Sequence, residues 1–184
     1  AAYYRELYMH DQLNNTQERF NEKYIHSISS DLLNPVAFSV AVNDWFLPLR
    51  TFEYEGQEYS MNRAYAFEQA MHRNTSGWFN KPISDYKEPE ANAEIPMMVL
   101  APTIVNDGRK MLISPQGISY LTSGKTSSSP AFNYTAGTVE FNRLFANHNP
   151  DRLKFSSALR MSATFPYITP LTELPTEPII EVFD

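Results

Sequence analysis

Apolar residues near the start of the chain recur at helical spacing. Tyr4, Leu7 and Tyr8 stand three and four residues apart, and Leu13, Phe20, Tyr24 and Ile28 extend a stripe between polar flanks. Residues so spaced share one face of an α-helix, so residues 1–30 are predicted to form an amphipathic, partly buried helix. Ser30-Asp31 offers a cap, and Asn34-Pro35 places a proline near a first helical position. Residues 36–49 (VAFSVAVNDWFLPL) are apolar with few breaks and predict a buried helix ending near Pro48. Residues 52–59 (FEYEGQEY) alternate aromatic and acidic positions around Gly56, the pattern of a small hairpin. Residues 62–73 (NRAYAFEQAMHR) are Ala-rich and periodic, with His72 and Arg73 in the last turn, where cations suit the helix dipole.

The second half carries the strands. Residues 76–95 are polar, hold Gly77, Pro82 and Pro89, and read as a loop. Residues 96–105 (PMMVLAPTIV) give the strongest strand signal, with Pro102 marking a bulge or an edge. Asn106-Asp107-Gly108 then turns the chain into a second strand, 109–114. Residues 114–137 are rich in Ser, Thr, Gly and Pro and read as a long loop. Residues 139–146 predict a short amphipathic helix, His148-Asn149-Pro150-Asp151 a turn, and 156–164 a helix stopped by Phe165-Pro166. An apolar strand over 178–183 leads to Asp184. Helices mixed with a few apolar strands predict an α/β class. Three or four strands are few for a complete sheet of that class, so part of the sheet is expected to lie on other sequence.

Composition narrows the function. The 184 residues are 42% hydrophobic and 20% charged, which suits one packed domain spanning 1–184, or a large part of one. A net charge of −6 argues against a nucleic-acid binder, which needs a basic face for the phosphates. Without cysteine there is no disulfide, thiolate nucleophile or cysteine metal site. No apolar run approaches the roughly 18–20 residues that cross a bilayer.

Most chemical motifs fail on inspection. The G-x-S-x-G elbow of serine hydrolases is absent, and its nearest approach, Gly117-Ile118-Ser119-Tyr120-Leu121, ends in Leu. Gly124-Lys125-Thr126 lacks the earlier glycine and the preceding strand of a phosphate loop. His10, His26, His72 and His148 are too scattered for metal-ligand spacing. Asp184 remains. A carboxylate at the carboxyl end of a strand in an α/β sheet is a place for catalysis, and equally for a plain terminal cap.

The segment around it decides how it is weighed. Ala158-Leu159-Arg160-Met161-Ser162-Ala163-Thr164-Phe165-Pro166 resembles the A-x-R-A-S-A-A-x-P block of the patatin-like phospholipases, bacterial type. Asp184 stands where that family places the Asp of its D-G-G or D-G-A motif. Weaker similarity runs through 96–114, 29–35 and 65–68. The resemblance implies an incomplete three-layer α/β domain and a Ser–Asp dyad that hydrolyses lipid esters without metal or cofactor. In such a dyad the Ser attacks the ester carbonyl, the Asp is general base, and a Gly-rich loop stabilises the oxyanion. Asp184 is then the catalytic residue here. The oxyanion loop and the serine elbow are both missing from 1–184, and so is the glycine after Asp184. The expectation is a central and C-terminal part of the catalytic domain, inactive alone, that supplies the base and part of an apolar pocket lined by 36–49 and 62–73. Its partners would be a lipid or ester substrate and the segment, or second chain, that carries the Ser. The alternative is a non-catalytic interaction module whose aromatic surface meets a protein or glycan, with Asp184 as a cap.

Overall fold

The computed structural model describes residues 1–10, 22, 24–46, 51–54, 57–60, 62–122, 137–164, 169–174 and 180–183. They combine helices with a small mixed sheet in a loose α/β arrangement. Two compact units form, Ala1–Asn80 with Thr164–Pro170, and Lys81–Ala163 with Leu171–Asp184. Among the described residues no helix is long and apolar enough to cross a membrane.

The first unit is helical with one hairpin. Helix α1 (Ala2–Met9) buries Tyr3, Arg5, Glu6 and Leu7 and exposes Tyr4 and Tyr8. The inward face is therefore not the expected Tyr4–Leu7–Tyr8 stripe. Tyr3 turns in instead because aromatic partners await it: its ring stacks on Tyr24 at 5.9 Å and Trp78 at 5.8 Å, and its hydroxyl lies 3.0 Å from Ser27 Oγ. The middle of the predicted 1–30 helix lies outside the described residues. Helix α2 (Ile25–Ser29) follows, and Asp31 Oδ1 then accepts the N–H groups of Leu33 and Asn34, as the cap signal implied.

Helix α3 (Asn34–Ser39) passes into a π-helical turn, Val40–Asp44. The expected burial of 36–49 fails here. Val36 and Ser39 face inward, where α3 meets helix α4 (Arg63–Asn74), while Phe38, Trp45 and Phe46 are 68–78% exposed. One side of a helix meets one neighbour, so an all-apolar run still buries a single stripe. Residues 47–50 lie outside the description. Strands β1 (Thr51–Tyr54) and β2 (Gln57–Ser60) make the predicted hairpin, with Tyr54 opposite Gln57.

Helix α4 forms for reasons that its sequence states. Asn62 Oδ1 accepts the N–H groups of Ala64 at 3.0 Å and Tyr65 at 3.2 Å, and Ala64, Phe67, Ala70 and Met71 line the buried face. The helix ends where Ser76 and Gly77 turn left-handed and the Gly77 N–H reaches the His72 carbonyl at 2.7 Å. A Cβ on Gly77 would also sit 3.0 Å from His72 Cε1.

The second unit holds a five-stranded sheet in the order β5-β4-β3-β7-β6. Strand β3 (Thr103–Ile104) is far shorter than the predicted 96–105 strand. Proline has no N–H to give a ladder, so Pro96 and Pro102 cut the run to β3 and a separate Leu100–Ile113 bridge. Strand β4 (Lys110–Leu112) returns antiparallel after the Asn-Asp-Gly turn, with Gly108 at φ 75°. Strand β5 (Thr138–Glu140) pairs parallel to β4, and β7 (Ile180–Phe183) lies antiparallel between β3 and β6 (Thr172–Leu174). Hence β4, β5 and β7 point one way, and β3 and β6 the other.

Two further stretches depart from expectation. The 76–95 loop contains a 3₁₀ turn, Ile83–Tyr86, and helix α5 (Lys87–Ala91). Ile83, Tyr86 and Glu90 turn inward at helical spacing, and Pro89 sits in the first turn, where an N–H has no helical partner to lose. The 139–146 helix begins instead as β5, because β-branched Thr138 and Val139 extend beside β4; only Phe141–Leu144 is helical, as α7. Helix α6 (Ser119–Thr122) interrupts the 114–137 loop. Helix α8 (Phe155–Ser162) covers most of its predicted span and runs beside β7. Its Ala158 and Met161 join Ile104, Met111, Ile113, Phe141, Phe145 and Leu174 in the core of this unit.

Two predictions follow from local geometry. Gly77→Ala forces Cβ into a left-handed turn and against His72, and lowers stability by about 1–2 kcal/mol. Thermal unfolding measures it, and an unchanged midpoint contradicts the strain. Asp107 accepts the Arg109 side chain at Nε and Nη2, both 2.6 Å, and its backbone N–H at 3.0 Å. These bonds, the side-chain one foremost, hold the Asp107 carboxyl below its ordinary 3.8. The stabilisation is present above the unfolded-state pKa and disappears as pH falls through the lowered folded value. Both side chains are more than a third exposed, so it stays below about 1 kcal/mol. Carboxyl NMR titration should find Asp107 low in the native chain and raised part of the way back in Arg109→Ala, which keeps the backbone bond.

Candidate functional site

The second unit contains a cleft of about 720 Å³. Its walls come from three segments. Lys87 opens α5 on one side, and Pro115 and Gly117 stand on the loop after β4. Glu140 ends β5, and Asn142 is the second residue of α7. Ala146, Asn149, Pro150, Asp151 and Arg152 come from the 3₁₀ turns that follow, where Asn149 takes left-handed φ 50°.

Hydrogen bonds fix this frame. Glu140 is 4% exposed, and a carboxylate removed from water needs donors to compensate. Ile118 N–H reaches Glu140 Oε1 at 2.9 Å, and Ser119 Oγ donates to Oε2 at 2.5 Å. Together they pin the 117–119 turn and the start of α6 to the end of β5. Gln116 Nε2 donates to the Lys87 carbonyl at 2.5 Å, tying the same loop to α5. Asn142 Nδ2 donates to the Ser114 carbonyl at 3.1 Å, which sets the plane of its amide. Asn142 Oδ1 is buried without a hydrogen-bond partner.

Ser119 and Glu140 are a hydroxyl and a carboxylate in contact, as in a Ser–carboxylate dyad. Ser119 does not line the cleft, however, and both Glu140 oxygens hold donors that close the loop. The pair therefore builds the wall. The charged side chains on the cleft besides Glu140 are those of Lys87, Asp151 and Arg152.

The residue singled out by sequence, Asp184, lies outside the described residues. The strand before it is placed: β7 is interior, paired on both sides, and points to the same end of the sheet as β5. Register puts Phe183 level with Thr103, Thr103 with Lys110, and Lys110 with Thr138. The end of β7 is thus three strands across and two residues short of Glu140, about 15 Å away by standard sheet spacings. The family-like block forms α8 through Ser162, and Phe165 and Pro166 lie outside the described residues. The cleft mixes charged and amide side chains with Pro115, Ala146 and Pro150, and none of the described residues of 36–49 or 62–73 lines it. Among the described residues no group of three or more His, Asp or Glu could hold a metal ion. Sequence reading missed Glu140 and Asn142 because neither belongs to a motif; their role arises from a loop 22 residues away in the chain for the Glu140–Ile118 bond. No protein-family model matches the chain, and neither a curated protein nor a solved structure does.

Glu140→Ala removes the acceptor from a buried N–H and a serine hydroxyl. It should cost about 1–3 kcal/mol and speed hydrogen exchange at the Ile118 amide. Glu140→Gln keeps one acceptor and should recover part of the loss; equal losses in both variants contradict the capping role.

Proposed function

We propose that this chain is part of a patatin-like lipid acyl hydrolase and supplies the general base, Asp184, to a three-layer α/β domain. The observation that carries the reading is the setting of β7. The strand that leads to Asp184 is interior, runs parallel to β4 and β5, and has the α8 block of family-like sequence beside it. Ligands in open α/β sheets gather outside the carboxyl ends of strands. The nucleophilic serine and the oxyanion loop would come from sequence other than 1–184. In the reaction Asp184 takes the proton of the serine hydroxyl as its oxygen attacks the ester carbonyl. The collapsing oxyanion expels the alcohol, which takes up the proton, and water then cleaves the acyl-enzyme under the same base.

A second reading, an interaction module, draws on the exposed Phe38, Trp45 and Phe46. One experiment separates the two. The parent chain, with its serine segment, is assayed on a short-chain nitrophenyl ester. Asp184→Asn should lower turnover by roughly 10²–10⁴ with the fold intact, and 1–184 alone should show none. Wild-type turnover in Asp184→Asn defeats the hydrolase reading.

A further inference from the structure

We propose that the Asp107–Gly108 linkage is a self-modification site, able to rearrange to isoaspartate through a cyclic imide, and that the Arg109 side chain restrains it. The inference goes beyond the hydrolase reading and does not rest on it. Its chemistry needs only water. The Gly108 nitrogen attacks the Asp107 side-chain carboxyl carbon and loses its proton as the carboxyl hydroxyl departs. One C–N bond forms, one C–O bond breaks, and one water leaves. Water then opens the five-membered ring. Addition at the side-chain carbonyl restores aspartate. Addition at the main-chain carbonyl routes the backbone through the side chain and leaves a free main-chain carboxylate. Nothing is oxidised or reduced.

The sequence offers the unhindered form of this reaction once. Asp107 is the one Asp or Asn among the 184 residues that precedes a glycine. A glycine nitrogen has no Cβ beside it to block the approach, and glycine accepts the φ of 75° that this turn requires. The space around it is open, and a Cβ built on Gly108 would meet nothing within 4 Å. Residues 105–108, between β3 and β4, are exposed, so water reaches the ring that must be opened.

The folded turn holds both reacting groups back. The Gly108 N–H donates to the Ile104 carbonyl at 2.8 Å, and the nitrogen must release that bond to attack. Asp107 Oδ1 accepts the Arg109 N–H at 3.0 Å, and Oδ2 accepts Nε and Nη2 of Arg109 at 2.6 Å each. An ionised carboxylate is a poor electrophile, since only the neutral carboxyl has a hydroxyl to lose. The guanidinium keeps Asp107 ionised by holding its carboxyl below the ordinary range. The same two charge-assisted bonds fix the direction in which the carboxyl faces. The hold on Gly108 is backbone and cannot be changed by substitution at 109. The hold on the carboxyl is largely one exposed side chain, so Arg109 is the removable restraint.

Rearrangement would strike a thin part of the sheet. Strand β3 has two residues and lies between β4 and β7. The turn is closed by the Ile104 N–H on the Arg109 carbonyl at 2.8 Å, together with the Gly108–Ile104 bond. An extra backbone carbon between 107 and 108 puts these bonds out of step and weakens the pairing of β3 with β4.

The test incubates the chain at neutral pH beside Arg109→Ala and Asp107→Glu, and measures isoaspartate at position 107 by peptide mapping. Conversion should be slow in the native chain, several-fold faster in Arg109→Ala, and fastest in the chain unfolded in urea. Asp107→Glu should show no rearrangement, because its longer side chain would have to close a six-membered ring. Equal rates in the native chain and Arg109→Ala overturn the proposal, and so does a lack of isoaspartate at 107 in every sample. Loosening of the turn is a separate route to faster conversion, and hydrogen exchange at the Gly108 amide separates the two. Faster conversion at unchanged Gly108 exchange assigns the restraint to the hold on the carboxyl. Conversion that rises only in step with that exchange removes Arg109 from the role.

Discussion

The second unit is arranged around one buried carboxylate. Glu140 sits at the junction of β5 and α7, where the chain turns from sheet to helix and the side chain cannot reach bulk water. Removing a carboxylate from water without compensation is expensive, so the fold must bring donors to it. It does so with the backbone of Ile118 and the hydroxyl of Ser119, which draws the 115–119 loop back over the end of the sheet. That return makes one wall of the cleft. The Gln116–Lys87 and Asn142–Ser114 bonds make the loop common to α5 and α7. One wall of the cleft thus follows from satisfying Glu140.

Local chemistry was legible in the sequence wherever one residue decides the backbone. Asn34-Pro35 at a helix start, the Asn-Asp-Gly turn and the pairing of 51–54 with 57–60 appear where the local sequence places them. Orientation was less legible. Tyr3 and Tyr4 are the same residue type, and only the presence of Trp78 and Tyr24 decides which is buried. In 36–46 apolar residues recur on most faces and the buried stripe includes Ser39, so periodicity does not show which stripe meets α4. Strands failed at prolines and at β5. Phe141, Leu144 and Phe145 share a helical face by three- and four-residue steps, and the parallel partner β4 supplies ladder bonds at 138–140 that no local pattern reveals. The candidate cleft was the least legible part, because Lys87, Glu140, Asn142 and Arg152 converge from segments with no shared spacing.

The sheet relates the cleft to the end of β7. With β4, β5 and β7 pointing one way, the end of β7 and the cleft share one end of the unit, yet register sets them about 15 Å apart. The two features are separate places on one end of the sheet. The cleft wall follows from satisfying Glu140, whereas the end of β7 is set by its two flanking strands. A group bound at one would reach the other only by spanning the ends of β4 and β3.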